Sequence, residues 1–362
     1  RPLIFKKMPI KQILKPFQPV KRIIGHTFII YNLSIDKTSQ ILITGSDDSL
    51  VKVWKLPELS LINSYIDHND VITNIEIHPS NLYFASSSAD GVVCVFSLIT
   101  GILKYKTKLP SEINDLHFSQ CGKYLSISTK ENGIFLWIFD DFLQNKPEYR
   151  KWSNATNNKE MWWAQFTPKS TIMIFVTATN DIYAYHIASK RVKFIFHSEK
   201  EISSLRLNHK LPFKILIFMI HSSHFYVIVD AYKYKLFTKK VKIDLGKDHQ
   251  IIDVNWNCDE SLIIALTKNS GIYAWNSEFL TLTYHIDNSN YLRKCRRLSI
   301  SPVIPFYVFV SNKDYVCSFW DLSLSPVNKN NPNQSTPEQD LPNDNIYSSD
   351  DESEEEDQSN EV

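Results

Sequence analysis

The chain has 362 residues, 43% hydrophobic and 13% aromatic, which is enough core-forming material for one large all-β domain or two ordinary ones. Its formal net charge of +1 hides a split: eleven acidic residues and no Lys or Arg occur from residue 330 onward, so the body carries about +12 and the tail about −11. Five scattered cysteines, never in C-x-x-C, read as reduced intracellular thiols. The most apolar stretch, residues 214–232, is broken by His221-Ser222-Ser223-His224 and reads as two strands and a turn in a soluble protein rather than a membrane span.

No secretory signal is evident in a chain that starts at Arg1, and whether it is a fragment stays open. Residues 1–17 form a basic N-terminal extension with Lys6, Lys7, Lys11 and Lys15 among apolar residues and prolines. It leads into VKRII (20–24), which has the look of a strand.

From Gly25 to Trp54 three short strands are expected, IIYNLSI, ILITGS and LVKVW, with turn chemistry at Asp36-Lys37-Thr38-Ser39 and Asp47-Asp48-Ser49. Such a small sheet cannot bury both faces, and copies of it follow. A closing aromatic recurs at Trp54, Phe96, Trp137, Tyr185, Trp275 and Trp320, at intervals of 42, 41, 48, 90 and 45 residues. The 90 is two units; the hidden fifth holds ISSLRL, KILIFMI and HFYVIVD. Eight residues before each aromatic stand Ser46, Ser88, Thr129, Thr177, Thr267 and Asn312, and six before stand Asp48, Asp90, Glu131, Thr179, Asn269 and Asp314. Seven units of this length predict an all-β fold, a seven-bladed WD-repeat β-propeller over residues 18–323.

The recurring residues suggest a buried polar network in which histidine, turn Asp, strand Ser or Thr and indole N–H satisfy one another. Unit one holds the full set, His26, Thr44 or Ser46, Asp48 and Trp54. Unit two holds His68, Ser86 or Ser88, and Asp90, but Phe96 has no N–H. Unit seven keeps Asp314 and Trp320, and the later units lack the aligned histidine unless His249 serves in unit six. Burial between strands makes these residues structural rather than a catalytic Ser-His-Asp set.

No strand is evident after Trp320, so the last unit lacks an outer strand, while VKRII is an outer strand without a unit. Pairing them closes the ring and removes both sheet edges. Residues 324–362 are rich in Asn, Pro, Ser and acid and are expected to be a disordered acidic tail. Ser349 and Ser353, each followed by three acidic residues, are candidate phosphorylation sites for acid-directed kinases.

The stretch RIIGHTFIIYNLSIDKTSQILITGSDDSLVKVW (22–54) resembles the first repeat of the bromodomain-and-WD-repeat family of chromatin proteins, and VNWNCDESLIIALTKNSGIYAWNS (254–277) resembles a later one. The resemblance implies a nuclear protein linked to chromatin, regulation of transcription and cell shape, or a substrate receptor of a cullin-type ubiquitin ligase. The chain has no bromodomain and no counterpart of the family's eighth unit. At Trp320-Asp321, the one Trp-Asp pair, Ser323 stands where ligase receptors often carry Arg.

With only eight glycines and no two closer than ten apart, a phosphate loop or nucleophile elbow is excluded in its usual form. His221 and His224 are better read as a turn than as metal ligands, so no metal, cofactor or small-molecule substrate is expected. On the repeat register Trp162 aligns with Thr73 at the start of an innermost strand, and Trp163 points to the other side. The pair reads as inter-blade packing or as an anchor for a peptide. Phe28, Asn69, Asp70, Glu112, Lys159, Glu160, Glu199 and Lys200 fall on loops of the same face. Three readings follow: a non-catalytic scaffold for proteins, peptides or chromatin proteins, nuclear or cytoplasmic; a nucleic-acid-binding propeller working through the basic body; and an acidic tail that folds back on the basic body and competes with such a ligand.

Overall fold

A computed structural model describes residues 19–322 except 57, 132, 140–148, 153–160, 209–213, 220, 230–238, 246–249, 269–270, 287–294, 304–306 and 313–315. The N-terminal extension, the acidic tail with Ser349 and Ser353, and Lys159, Glu160, His249, Asn269 and Asp314 lie outside the described residues.

Strand β1 (Lys21–Ile24) comes first. Blade 1 is β2–β5 (Ile30–Ile35, Ile41–Ser46, Val51–Lys55, Ser60–Tyr65). Blade 2 is β6–β9 (Ile72–Ile77, Tyr83–Ser88, Val92–Ser97, Leu103–Lys108) and blade 3 is β10–β13 (Ile113–Phe118, Tyr124–Thr129, Gly133–Ile138, Tyr149–Trp152). Blade 4 is β14–β17 (Met161–Phe166, Ile172–Thr177, Asp181–His186, Val192–His197) and blade 5 is β18–β21 (Ile202–Leu207, Lys214–Met219, His224–Val229, Lys239–Asp244). Blade 6 is β22–β25 (Ile251–Trp256, Leu262–Thr267, Gly271–Asn276, Leu282–Ile286), and β26–β28 (Cys295–Ile300, Tyr307–Asn312, Val316–Asp321) belong to blade 7.

Each blade is a four-stranded antiparallel sheet in chain order, except that blade 7 takes β1 as its outer strand. Lys21 pairs with Phe319 and Ile24 with Val316, so the ring is closed by the segment the sequence left without a unit. The stretch broken by His221-Ser222-Ser223-His224 becomes β19 and β20, and β21 supplies the fourth strand of unit five. Among the described residues no helix is long and apolar enough to cross a membrane.

The core lies between the blades. Seven apolar clusters each join one blade to the next, from Ile43, Ile72, Phe84 and Phe96 between blades 1 and 2 to Ile23, Ile30, Trp54 and Phe319 between blades 7 and 1. Ile23 puts β1 into the last of these. Close approach there demands small residues: a Cβ on Gly45 would lie 2.5 Å from Ile72 Cγ2, and one on Gly25 would lie 2.4 Å from Trp54 Cη2.

Every inner strand begins with the same irregularity. The pairing to the second strand skips one residue, after Ile30, Ile72, Ile113, Met161, Ile202, Ile251 and Cys295. A β-bulge of this kind leaves its extra residue outside the ladder and bends the strand. The first residue of six inner strands pairs with the small polar residue that ends the second strand, from Ile30 with Ser46 to Cys295 with Asn312. In blade 5 that partner is Met219, which is why the fifth unit hides in the sequence.

Candidate functional site

The blade edge that carries the loop before each inner strand and the turn between second and third strands is here called the upper face. In blade 1, His26 Nδ1 donates to Asp48 Oδ2 at 2.9 Å, and Thr27 N donates to the same oxygen at 3.0 Å. His26 Nε2 lies 2.7 Å from Thr44 Oγ1, which also accepts the Trp54 indole N–H at 2.9 Å. With the Nδ1 proton directed at the carboxylate, Nε2 can accept the threonine hydroxyl, and all four side chains are satisfied. Burial works to raise the Asp48 pKa, but the bonds from His26 and from the Thr27 and Leu50 amides outweigh it and bring it down to about 2. Ser46 stays outside this chain; it donates to Phe28 O at 3.1 Å and accepts Asp48 N at 3.2 Å.

Blade 2 is incomplete. His68 Nε2 bonds Ser86 Oγ at 2.7 Å, but Nδ1 is buried without a partner, and Asp90 instead accepts from Asn69 and Val92 amides. Ser88 accepts the Asp90 amide at 3.3 Å. Burial lowers the His68 pKa to about 4, so the ring is neutral in the folded state. In blade 7 the Trp320 N–H goes to Ser318 at 2.8 Å, because Val310 occupies the position that Thr44 holds in blade 1. Trp137 meets Ile127 at that register and its N–H is left unpartnered.

Trp162 is the bulge residue of β14, in register with Thr73, and is half-buried; Trp163 packs on the cluster of Ile202, Leu205 and Ile217 between blades 4 and 5. Phe28, 52% exposed, and Asp70 stand on upper loops of neighbouring blades 1 and 2, while Lys200 stands before β18 beside the Trp162 blade. The candidate residues thus share a face but fall into two sectors, blades 1–2 and blades 4–5. The seven bulge residues, Tyr31, Thr73, Asn114, Trp162, Ser203, Ile252 and Arg296, form a ring at the upper ends of the inner strands. The Arg296 guanidinium lies 5.5 Å above the Tyr31 ring.

Below this ring the inner strands enclose a central cavity of about 270 Å³ lined by Asn32, Asn74, Asp115, His117, Arg206 and Arg297 among others. Sequence reasoning missed this belt. Its signal is a polar residue at the third or fifth place of otherwise apolar inner strands. Asn32 donates to Asn74 Oδ1 at 2.7 Å, and Asn74 donates to Asp115. His117 is held between Asp115 at 2.7 Å and Glu76 at 3.1 Å; burial works to lower its pKa, but the two carboxylates outweigh this and hold it up at about 10. On the far side Asp253 stands between Arg206 at 3.5 Å and Arg297 at 3.9 Å, and Arg297 Nε donates to Tyr31 O at 3.2 Å. Asp253 also accepts the Leu298 amide at 3.0 Å.

Residues 17–55 and 59–97 match the family model described as "WD domain, G-beta repeat". They cover β1 to β8, the stretch that keeps the loop histidine and the turn Asp of blades 1 and 2. The first match starts before β1, so the sequence repeat is offset by one strand from the structural blade. The chain is 29% identical over 128 residues to the WD repeat-containing protein VIP3 of Arabidopsis thaliana (33% of this chain, 40% of that protein). It is 25% identical over 124 residues to the COMPASS component SWD3 of Saccharomyces cerevisiae (32% and 39%), so it spans less than half the length of these curated relatives. The β-propeller domain of Myceliophteria thermophila Cps50 (Swd1) superposes with a TM-score of 0.71 at 11% identity, over 83% of this chain and 99% of that one. The chain carries WD repeats and folds as a seven-bladed β-propeller.

Proposed function

We propose that the protein is a non-catalytic interaction scaffold, nuclear, that holds peptides or proteins of the chromatin-associated class on its upper face. The observation that carries this reading is the ring of bulge residues around the channel mouth, with the half-exposed Trp162 in it and exposed Phe28 on a loop of the same face. Large aromatic side chains at the rim of a polar cavity are the usual anchors of protein recognition. The histidine, Asp and hydroxyl groups that would suit hydrolytic chemistry are spent on architecture: Thr44 is fully buried, closed off by His26 and Trp54. The chromatin assignment draws on the resemblance at residues 22–54 and 254–277 and on a relative named a component of COMPASS.

Replacing Trp162 by Ala tests the reading. Affinity capture from nuclear extract is expected to lose, about tenfold or more, the partners that the wild-type chain retains, as for loss of an interface hot spot. The far-ultraviolet spectrum and melting temperature should stay unchanged. Undiminished capture by the variant would overturn the proposal.

A further inference from the structure

The lower face of blades 3 and 4 carries a compact basic surface. Lys123 lies in the turn before β11, Lys169 in the turn before β15, and Lys190, Arg191 and Lys193 at the turn between β16 and β17. These turns touch: Cys121 N donates to Ser170 Oγ at 3.3 Å, and Ile187 N donates to Thr171 O at 2.9 Å. All five basic side chains are exposed, and none takes part in an ion pair among the described residues. Other lower turns differ. In blade 1 Lys55 lies 3.9 Å from Glu58, and blade 6 carries Asp259, Glu260 and Glu278. Among the described lower turns, those of blades 3 and 4 hold the largest group of exposed basic side chains without an ion pair.

The third strand of every blade runs from upper to lower face, so β28 delivers the chain at Leu322 to the lower side of blade 7. In a seven-membered ring blades 3 and 4 stand opposite blade 7. Residues 350–357, DDESEEED, hold seven acidic side chains, and twenty-seven residues (323–349) separate Leu322 from Asp350. A random-coil chain of that length would have a root-mean-square span of roughly 30 Å, and a fully extended one would reach about 95 Å.

We propose that residues 350–357 dock on the Lys123–Lys169–Lys190–Arg191 surface of the same chain, in competition with other acidic ligands. Tethering gives the segment an effective concentration on the order of millimolar, so a free polyanion must displace it. Ser353 sits within the acidic run, and phosphorylation there would add about −1.5 to −2 charges and tighten the contact. The inference is independent of the upper-face reading, because it uses the opposite side of the ring.

The test is zero-length carbodiimide cross-linking of the full chain, read by mass spectrometry. Cross-links from residues 350–357 are expected on Lys123, Lys169 and Lys190. They should disappear at about 0.5 M salt, where screening acts over only a few Å, and in the Lys123→Glu/Lys169→Glu/Lys190→Glu variant. Cross-links spread evenly over exposed lysines such as Lys37, Lys104 and Lys108, or unmoved by salt and charge reversal, would overturn the proposal. So would a yield that rises with protein concentration, which places the tail on another copy. As a second readout, a full-length chain with the seven acids changed to Asn or Gln should bind a labelled single-stranded oligonucleotide about tenfold more tightly at low salt, the competing tether having been removed. Equal affinity of the two chains would count against the tail as occupant.

Discussion

Thr44 is the residue on which the blade 1 network turns, because one hydroxyl serves both His26 and Trp54. Thr44→Val keeps the shape and strands two buried nitrogens, and it is expected to cost about 2–4 kcal/mol in urea unfolding, whereas Thr44→Ser should cost about 1. A loss under 0.5 kcal/mol for the valine variant would show that the hydroxyl is dispensable. His68 makes a prediction about acid. Its folded-state pKa, lowered to about 4, means its contribution is present above pH 6.5 and is lost as pH falls from 6.5 through 4, about 3 kcal/mol in all. Asp48, brought down to about 2, loses its contribution only below its ordinary 3.8, and His117, held up at about 10, loses its own only as pH rises above 6.5. The window from pH 6.5 to 4.5 therefore isolates His68 from both. His68→Gln should flatten the fall of melting temperature across that window; an unchanged slope would assign the acid sensitivity elsewhere.

At the scale of the element, β1 decides whether the ring has an edge. Its pairing with β28 and the burial of Ile23, 4% exposed, close the interface of blades 7 and 1. Without β1, the third strand of blade 7 would expose its ladder groups, a template for aggregation. Deletion of residues 1–24 is expected to lower the melting temperature by several degrees, as loss of ~1–2 kcal/mol or more does in a domain of this size, and to promote association in gel filtration. An unchanged melting temperature would sink the closure argument. The offset between sequence repeat and blade has the same physical origin: a repeat that supplies the outer strand of one blade and the inner strands of the next ties its ends together.

For the molecule as a whole, cohesion runs through two rings. The apolar clusters join all seven pairs of neighbours, and the polar belt of the channel links most of them a second time, through Asn32, Asn74 and Asp115 on one side and Arg206, Asp253 and Arg297 on the other. Between blades 4 and 5 the belt position is taken by Trp163, which packs instead on the apolar cluster there. Asp253, fully buried, lies within 4 Å of both arginines, and Asp253→Asn removes the charge while leaving the cations in place. Breaking a buried pair from one side costs about 3–5 kcal/mol, and the variant should show a loss of that order in chemical denaturation. A variant as stable as the wild type would mean that solvent in the channel screens the arginines fully.

The repeat length, the closing aromatics, the small polar residue eight places earlier and the outer strand at residues 20–24 were legible in the sequence because each obeys a local rule of strand and turn chemistry. The full polar set of unit one was legible for the same reason. Tertiary structure alone chose Thr44 over Ser46 as the hinge of that set, left His68 Nδ1 without a partner, and gathered Glu76, Asp115 and His117 from neighbouring blades into one cluster. Those choices depend on distances between residues on different strands, within a blade for Thr44 and His68 and across two blades for Glu76, which tertiary packing fixes and no local pattern encodes. The identity of the fold was thus written strand by strand, while the channel and the basic sector of blades 3 and 4 exist only because seven such units stand in a circle.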